Sequence, residues 1–102
     1  MSKRLALHEE LCSVLGSRYV YFQPPENLKI NYPCIVYSRN PDRIRHADDS
    51  HYFTKEHYDL TVMDTDPDSA IPSDLIAHFT YCRVDRYFVS DNINHTTLDL
   101  FY

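Results

Sequence analysis

Apolar and polar residues alternate most regularly between positions 58 and 63. Tyr58, Leu60 and Val62 share one side there, and Asp59, Thr61 and Met63 the other. That two-residue period predicts a strand with one face buried. It stops at Asp64-Thr65-Asp66-Pro67-Asp68-Ser69. Proline lacks the donor a ladder needs, and Asp and Ser side chains bond to neighbouring backbone. The period then lengthens. Ile71, Leu75 and Phe79 fall on one face of a predicted helix over 70–79, with Pro72 tolerated in its first turn. Near the N-terminus Leu5, His8, Leu11, Cys12 and Leu15 recur at three- and four-residue spacing. This stripe predicts a helix running from an N-cap at Ser2 to about Leu15. Glu9 and Glu10 lie outside the stripe, and Gly16, the only glycine, stands where a helix C′ residue belongs.

The remaining apolar runs are shorter. Residues 19–22 read as a strand ended by Pro24-Pro25, and 26–32 as an irregular connection. Pro33 introduces a second strand over 34–38, whose continuous apolar residues suggest burial on both faces. Two more strands are expected at 81–89 and 96–102, joined by an Asx-rich turn at 90–95. Leu98, Leu100 and Tyr102 share a face, so the last strand should be tied into the sheet. The order α-β-β-β-α-β-β predicts an α+β two-layer sandwich: a mainly antiparallel five-stranded sheet with two helices on one face. The 102 residues suit one domain, 1–102. Ile35, Leu60, Val62 and Leu100 should lie in its core.

Residues 40–54, NPDRIRHADDSHYFT, break this pattern. They are polar and charged, and they join two strands by far more than the roughly two to five residues of a hairpin loop. So long a connection reads as an extended arm. It holds too few apolar side chains to pack on its own domain, so its ordering entropy must be offset by a partner. Arg43, Arg45, His46, Asp48, Asp49 and Lys55 could specify a partner surface, and Tyr52 and Phe53 could anchor it. These eight residues are the candidate interface with a neighbouring subunit or other partner.

Composition adds limits. Nine Tyr and five Phe with no Trp suit strands, and also a half-wet contact surface. A formal charge of −5 argues against a surface that grips duplex nucleic acid. Cys12, Cys34 and Cys82 are odd in number and share no CxxC spacing, so buried, unlinked thiols in a reducing compartment are expected. The opening MSKRLALHEELC has no long apolar core and no cleavage site, so no signal peptide is expected. No run approaches the roughly twenty apolar residues of a membrane span. The expected place of assembly is the cytoplasm, with no membrane partner. The Asp64-Asp66-Asp68 run invites a calcium reading, but an EF-hand loop needs Gly sixth and Glu twelfth. Ser69 and Leu75 stand at those positions, so an acidic turn capping the next helix is expected instead. The six histidines show no HxH or HExxH spacing, and His46 and His51 merely flank Asp48-Asp49. With one glycine, phosphate-cradling loops are excluded. Neither an enzyme nor a cofactor nor a metal is expected.

Three stretches carry a resemblance: VYFQPPENLKINYPCIVY at 20–37, HYDLTVMDTDPDSAIP at 57–72, and FVSDNINHTTLDLFY at 88–102. Together they resemble the tail terminators of tailed bacteriophages, also called tail completion or tail-to-head joining proteins. The resemblance implies a homo-oligomeric ring, commonly a hexamer, at the head-proximal end of a long tail. Such a ring ends tail-tube polymerisation and docks to the head. The implied partners are copies of the chain itself, the tail tube protein, and a head–tail connector or head-closure protein. Phage DNA would pass through the lumen without sequence-specific binding, which an acidic balance suits. The implied location is the virion, after assembly in the host cytoplasm. The family brings no catalytic residues. Two other readings stand beside it: a small protein-binding adaptor outside the virion, using the tyrosine-rich sheet, and a metal-dependent nuclease using the acidic turn.

Overall fold

The computed structural model describes residues 3–40 and 56–102. Helix α1 (Lys3–Leu15) leads into strand β1 (Val20–Phe22), followed by β2 (Cys34–Arg39) and β3 (His57–Asp64). Helix α2 (Ile71–His78) then precedes β4 (Cys82–Ser90) and β5 (Ile93–Phe101). The strands lie in the order β1-β2-β3-β5-β4. Among the described residues only β1 and β2 pair in parallel, and the other pairs are antiparallel. Both helices pack on one face, which gives the expected α+β two-layer sandwich.

The core follows from the strand alternation. On β3, Tyr58, Leu60 and Val62 are buried toward the helices. They lie opposite Arg39, Tyr37 and Ile35 on β2, and opposite Leu100, Leu98 and Thr96 on β5. Leu7, Leu11 and Cys12 of α1, with Leu75 and Phe79 from α2 and its C-cap, close over them. All four expected core residues are among those buried. Strand β2 buries Cys34, Ile35 and Tyr37 but leaves Val36 half-exposed, so its second face is only partly covered.

Several expectations shift. The α1 stripe turns: Leu5 is 46% exposed whereas Leu7 is fully buried. The reason is tertiary: Leu7 and Leu11 enter the core, and His8 Nδ1 lies 2.8 Å from the Tyr37 hydroxyl of β2, which holds the helix on its 7-8-11-12 side. The expected N-cap, Ser2, lies outside the described residues. Gly16 takes the C′ position, with φ +84° and its N–H on the Cys12 carbonyl at 2.8 Å. The Asx-rich turn contracts to Asp91-Asn92, with φ of 54° and 63°. Two successive positive φ values match strand twist in a two-residue hairpin, and Asx residues tolerate them, so β5 starts at Ile93 rather than at 96. The acidic turn folds on itself instead of capping α2. Asp64 Oδ1 accepts the Asp66 N–H at 3.0 Å, and Asp66 Oδ1 accepts the Asp68 N–H at 2.9 Å. The N-cap of α2 is Ala70, without a side-chain cap, and Ser69 Oγ accepts the Ile71 N–H at 3.3 Å. The cysteines are free; Cys12 and Cys34 are buried and Cys82 is half-buried. Burial pushes the Cys34 and Cys82 thiols up to about 11, so at neutral pH both are protonated.

Candidate functional site at the root of residues 41–55

Strands β2 and β3 are antiparallel neighbours, so the chain that leaves β2 and returns to β3 does so across one strand spacing. Its two roots are fastened by several groups. The Asn40 N–H donates to the His57 carbonyl at 2.9 Å. Asn40 Nδ2 donates to Asp59 Oδ2 at 2.8 Å. Arg39 Nε pairs with Glu56 Oε1 at 2.9 Å. Glu56 and Tyr102 exchange both backbone hydrogen bonds at 3.0 Å, continuing the β3–β5 ladder past its last paired residues.

His57 is the centre of this clamp. It is fully buried, on the sheet face away from the helices, and stacks on Phe101 at a centroid distance of 4.7 Å. Its Nδ1 lies 3.0 Å from the Asn40 carbonyl, which can only accept, so Nδ1 carries a proton. Its Nε2 lies 2.9 Å from Asp99 Oδ1 and 3.5 Å from Asp59 Oδ1. Asp59 and Asp99 face each other directly across β3 and β5, where two carboxylates would repel. The imidazole stands between them, with Nε2 set against Asp99 Oδ1, so a proton held between those two atoms bridges the strands. Arg83 Nε, 3.8 Å from Asp99 Oδ2, adds positive charge from β4. Beside the clamp, a depression of about 330 Å³ is lined by Thr80, Tyr81, Cys82, Arg83, Asp99 and Phe101.

The donor set of His57, Asp59 and Asp99 lies within 4.8 Å and could be read as a metal centre. What the structure shows there is a hydrogen-bonded cluster: Nε2 lies 2.9 Å from Asp99 Oδ1 and 3.5 Å from Asp59 Oδ1, and Asp59 Oδ2 accepts from Asn40 Nδ2 at 2.8 Å. The arrangement suits a proton-held clamp that fixes where the 41–55 segment leaves and rejoins the sheet.

The sequence-based interface residues Arg43, Arg45, His46, Asp48, Asp49, Tyr52, Phe53 and Lys55 all lie outside the described residues. The clamp itself escaped sequence reasoning. The two-residue period puts His57 and Asp59 on one face of β3, but only the β3–β5 register brings Asp99 to them. At the level of class, the chain is an α+β sandwich with a polar clamp at the base of its β2–β3 connection. Comparison with protein-family models, with curated proteins and with solved structures finds no match.

Proposed function

We propose that this chain is a non-enzymatic structural subunit of the tail-terminator type. Copies form a ring, commonly of six in that family, at the head-proximal end of a long phage tail. The ring ends tail-tube growth and joins the tube to the head connector, and DNA passes through its lumen. The observation that carries this reading is the combined resemblance of 20–37, 57–72 and 88–102. The clamp adds physical support, because an arm that engages a partner transmits force only if its roots are fixed. His57, Asn40, Asp59 and the Arg39–Glu56 pair fix them.

The test is to replace residues 42–54 with a tight two-residue turn. The clamp and core stay intact, so the monomer should melt within a few degrees of the parent. Ring formation or tail capping should be lost, and electron microscopy should show tails that overgrow or fail to join heads. Rings of normal mass and tails of normal length joined to heads would reduce the segment to a surface connection and remove it from the interface.

A further inference from the structure

We infer that copies of this chain associate head to tail through the two opposite edges of the sheet, the β4–α2 flank of one copy covering the β1–α1 flank of the next. The inference deepens the ring reading and shares with it only the premise that copies associate.

The starting point is where large apolar side chains remain exposed. Among the described residues they fall into two groups. One group is Ile76, Tyr81, Val84, Tyr87 and Val89, exposed from 42% to 57%. The other is Leu5, Tyr19, Leu28 and Tyr32, exposed from 39% to 46%. In the strand order β1-β2-β3-β5-β4 these groups stand at opposite ends. Tyr19 immediately precedes β1, Leu28 and Tyr32 lie in the β1–β2 connection, and α1, which carries Leu5, packs over β1 and β2.

The β4 flank has a structural cause. Val84, Tyr87 and Val89 lie opposite Leu98, Thr96 and Asn94, which alternate along the helix-side face of β5. All three therefore point to the helix side. Two helices roughly 10 Å apart cannot cover five strands spaced about 4.8 Å, so the edge strand is left bare. Ile76 borders the same ledge. It lies roughly 200° around α2 from His78, and His78 bonds Glu10 of α1 at 2.9 Å, so Ile76 faces away from α1.

The occupant is a second copy rather than a free strand. Added strands need an open ladder, and the outer edge of β4 is broken by a register shift between Val84 and Arg86, with charged Arg83, Asp85 and Arg86 in sequence around it. Bulges and charges of this kind block strand addition. What remains attractive is the side-chain face. Four large residues, Ile76, Val84, Tyr87 and Val89, each about half exposed, offer roughly 350 Å² of the roughly 800 Å² each partner buries in a stable contact. Charge does not oppose the match. Arg83, Asp85 and Arg86 are mixed in sign, as are Glu26 and Lys29 opposite, where Glu9 and Arg18 already pair at 2.9 Å. Two unlike patches on opposite sides of one subunit define a heterologous contact, which closes into a ring or runs on as a filament.

The test uses Tyr87→Asp with Val89→Asp on one flank and Tyr19→Asp with Tyr32→Asp on the other. Light scattering after size exclusion measures the mass of the full chain. The parent should assemble, and each variant alone should be monomeric with an unchanged circular dichroism spectrum. An equal mixture of the two variants should give dimers and nothing larger, since each brings one intact flank. If the aspartates unfold the chain, Ser at the same positions carries the same test. A monomeric parent, variants that assemble like the parent, or loss of assembly from the β4 flank alone would each overturn the inference. Tail length separates the two readings. Flank variants that lose assembly yet leave tails normally capped would sink the tail reading and leave the contact standing.

Discussion

His57 shows how one residue can hold a site together. Its ring stands between two facing carboxylates and also closes the base of the 41–55 segment through the Asn40 carbonyl. His57→Leu should therefore leave Asp99 buried against Asp59 without its proton donor. Breaking a buried pair from one side costs about 3–5 kcal/mol, more than the lost contact alone, because the remaining charge stays desolvated. Adding Asp99→Asn should recover a good part of that loss. Urea titration of the parent, both single variants and the double variant measures the coupling; a His57→Leu cost under about 1 kcal/mol would show that the cluster is not ion-paired. Sequence reasoning could not reach this residue. Its acidic partner stands 42 positions away and meets it only through strand register, which no local period encodes.

Elements were far more legible than contacts. The alternation at 58–63 located β3 and its buried face, because half-burial leaves a two-residue signature in sequence. Leu60, opposite both Tyr37 and Leu98, should cost about 2–5 kcal/mol when cut to Ala, read as a lower denaturation midpoint at unchanged slope. A variant that melts like the parent would displace β3 from the centre of the core. The misread features have physical causes. Helix α1 carries apolar residues at 5, 6, 7, 11, 12, 14 and 15, so its sequence permits more than one face, and the His8–Tyr37 contact selects among them. The start of β5 was obscured because Asn94 and His95 look like turn residues. Asn94 instead donates to the Asp64 carbonyl and accepts from Tyr87 within the ladder, and His95 stacks on Phe88.

At the scale of the whole molecule, α1 is tied to distant chain by titratable groups, and this sets a pH window. Burial holds His8 below its usual 6.5, so the unfolded chain takes up a proton first and stability falls as pH drops through that range. The Tyr102 hydroxyl donates to Glu10, which with His78 holds that carboxylate below its usual 4.5 and adds a further acid loss. The same bond pushes Tyr102 up to about 12, so its contribution is complete below pH 10.0 and disappears as pH rises toward 12. Tyr37, raised by burial, acts in the same direction. Stability should thus be level from about pH 6.5 to 9.0 and decline on both sides; the alkaline decline opens with the Cys34 and Cys82 thiols, which burial lifts from 9.0 to about 11, and Tyr102→Phe should make its upper part shallower. A melting series across pH with an unchanged alkaline limb in that variant would dissociate Tyr102 from Glu10. The sheet order has a kinetic side as well. The β4–β5 hairpin, with its two-residue turn, can close on the order of microseconds, and β2 can find β3 across their own connection. The β3–β5 seam joins these halves across the centre of the sheet and must close the acidic turn, α2 and all of β4. That docking should be the slow step of folding, because its loop entropy is spent before its contacts form. A chain waiting for it would carry two bare, apolar-faced edges, β3 and β5, both open to aggregation between unfinished copies.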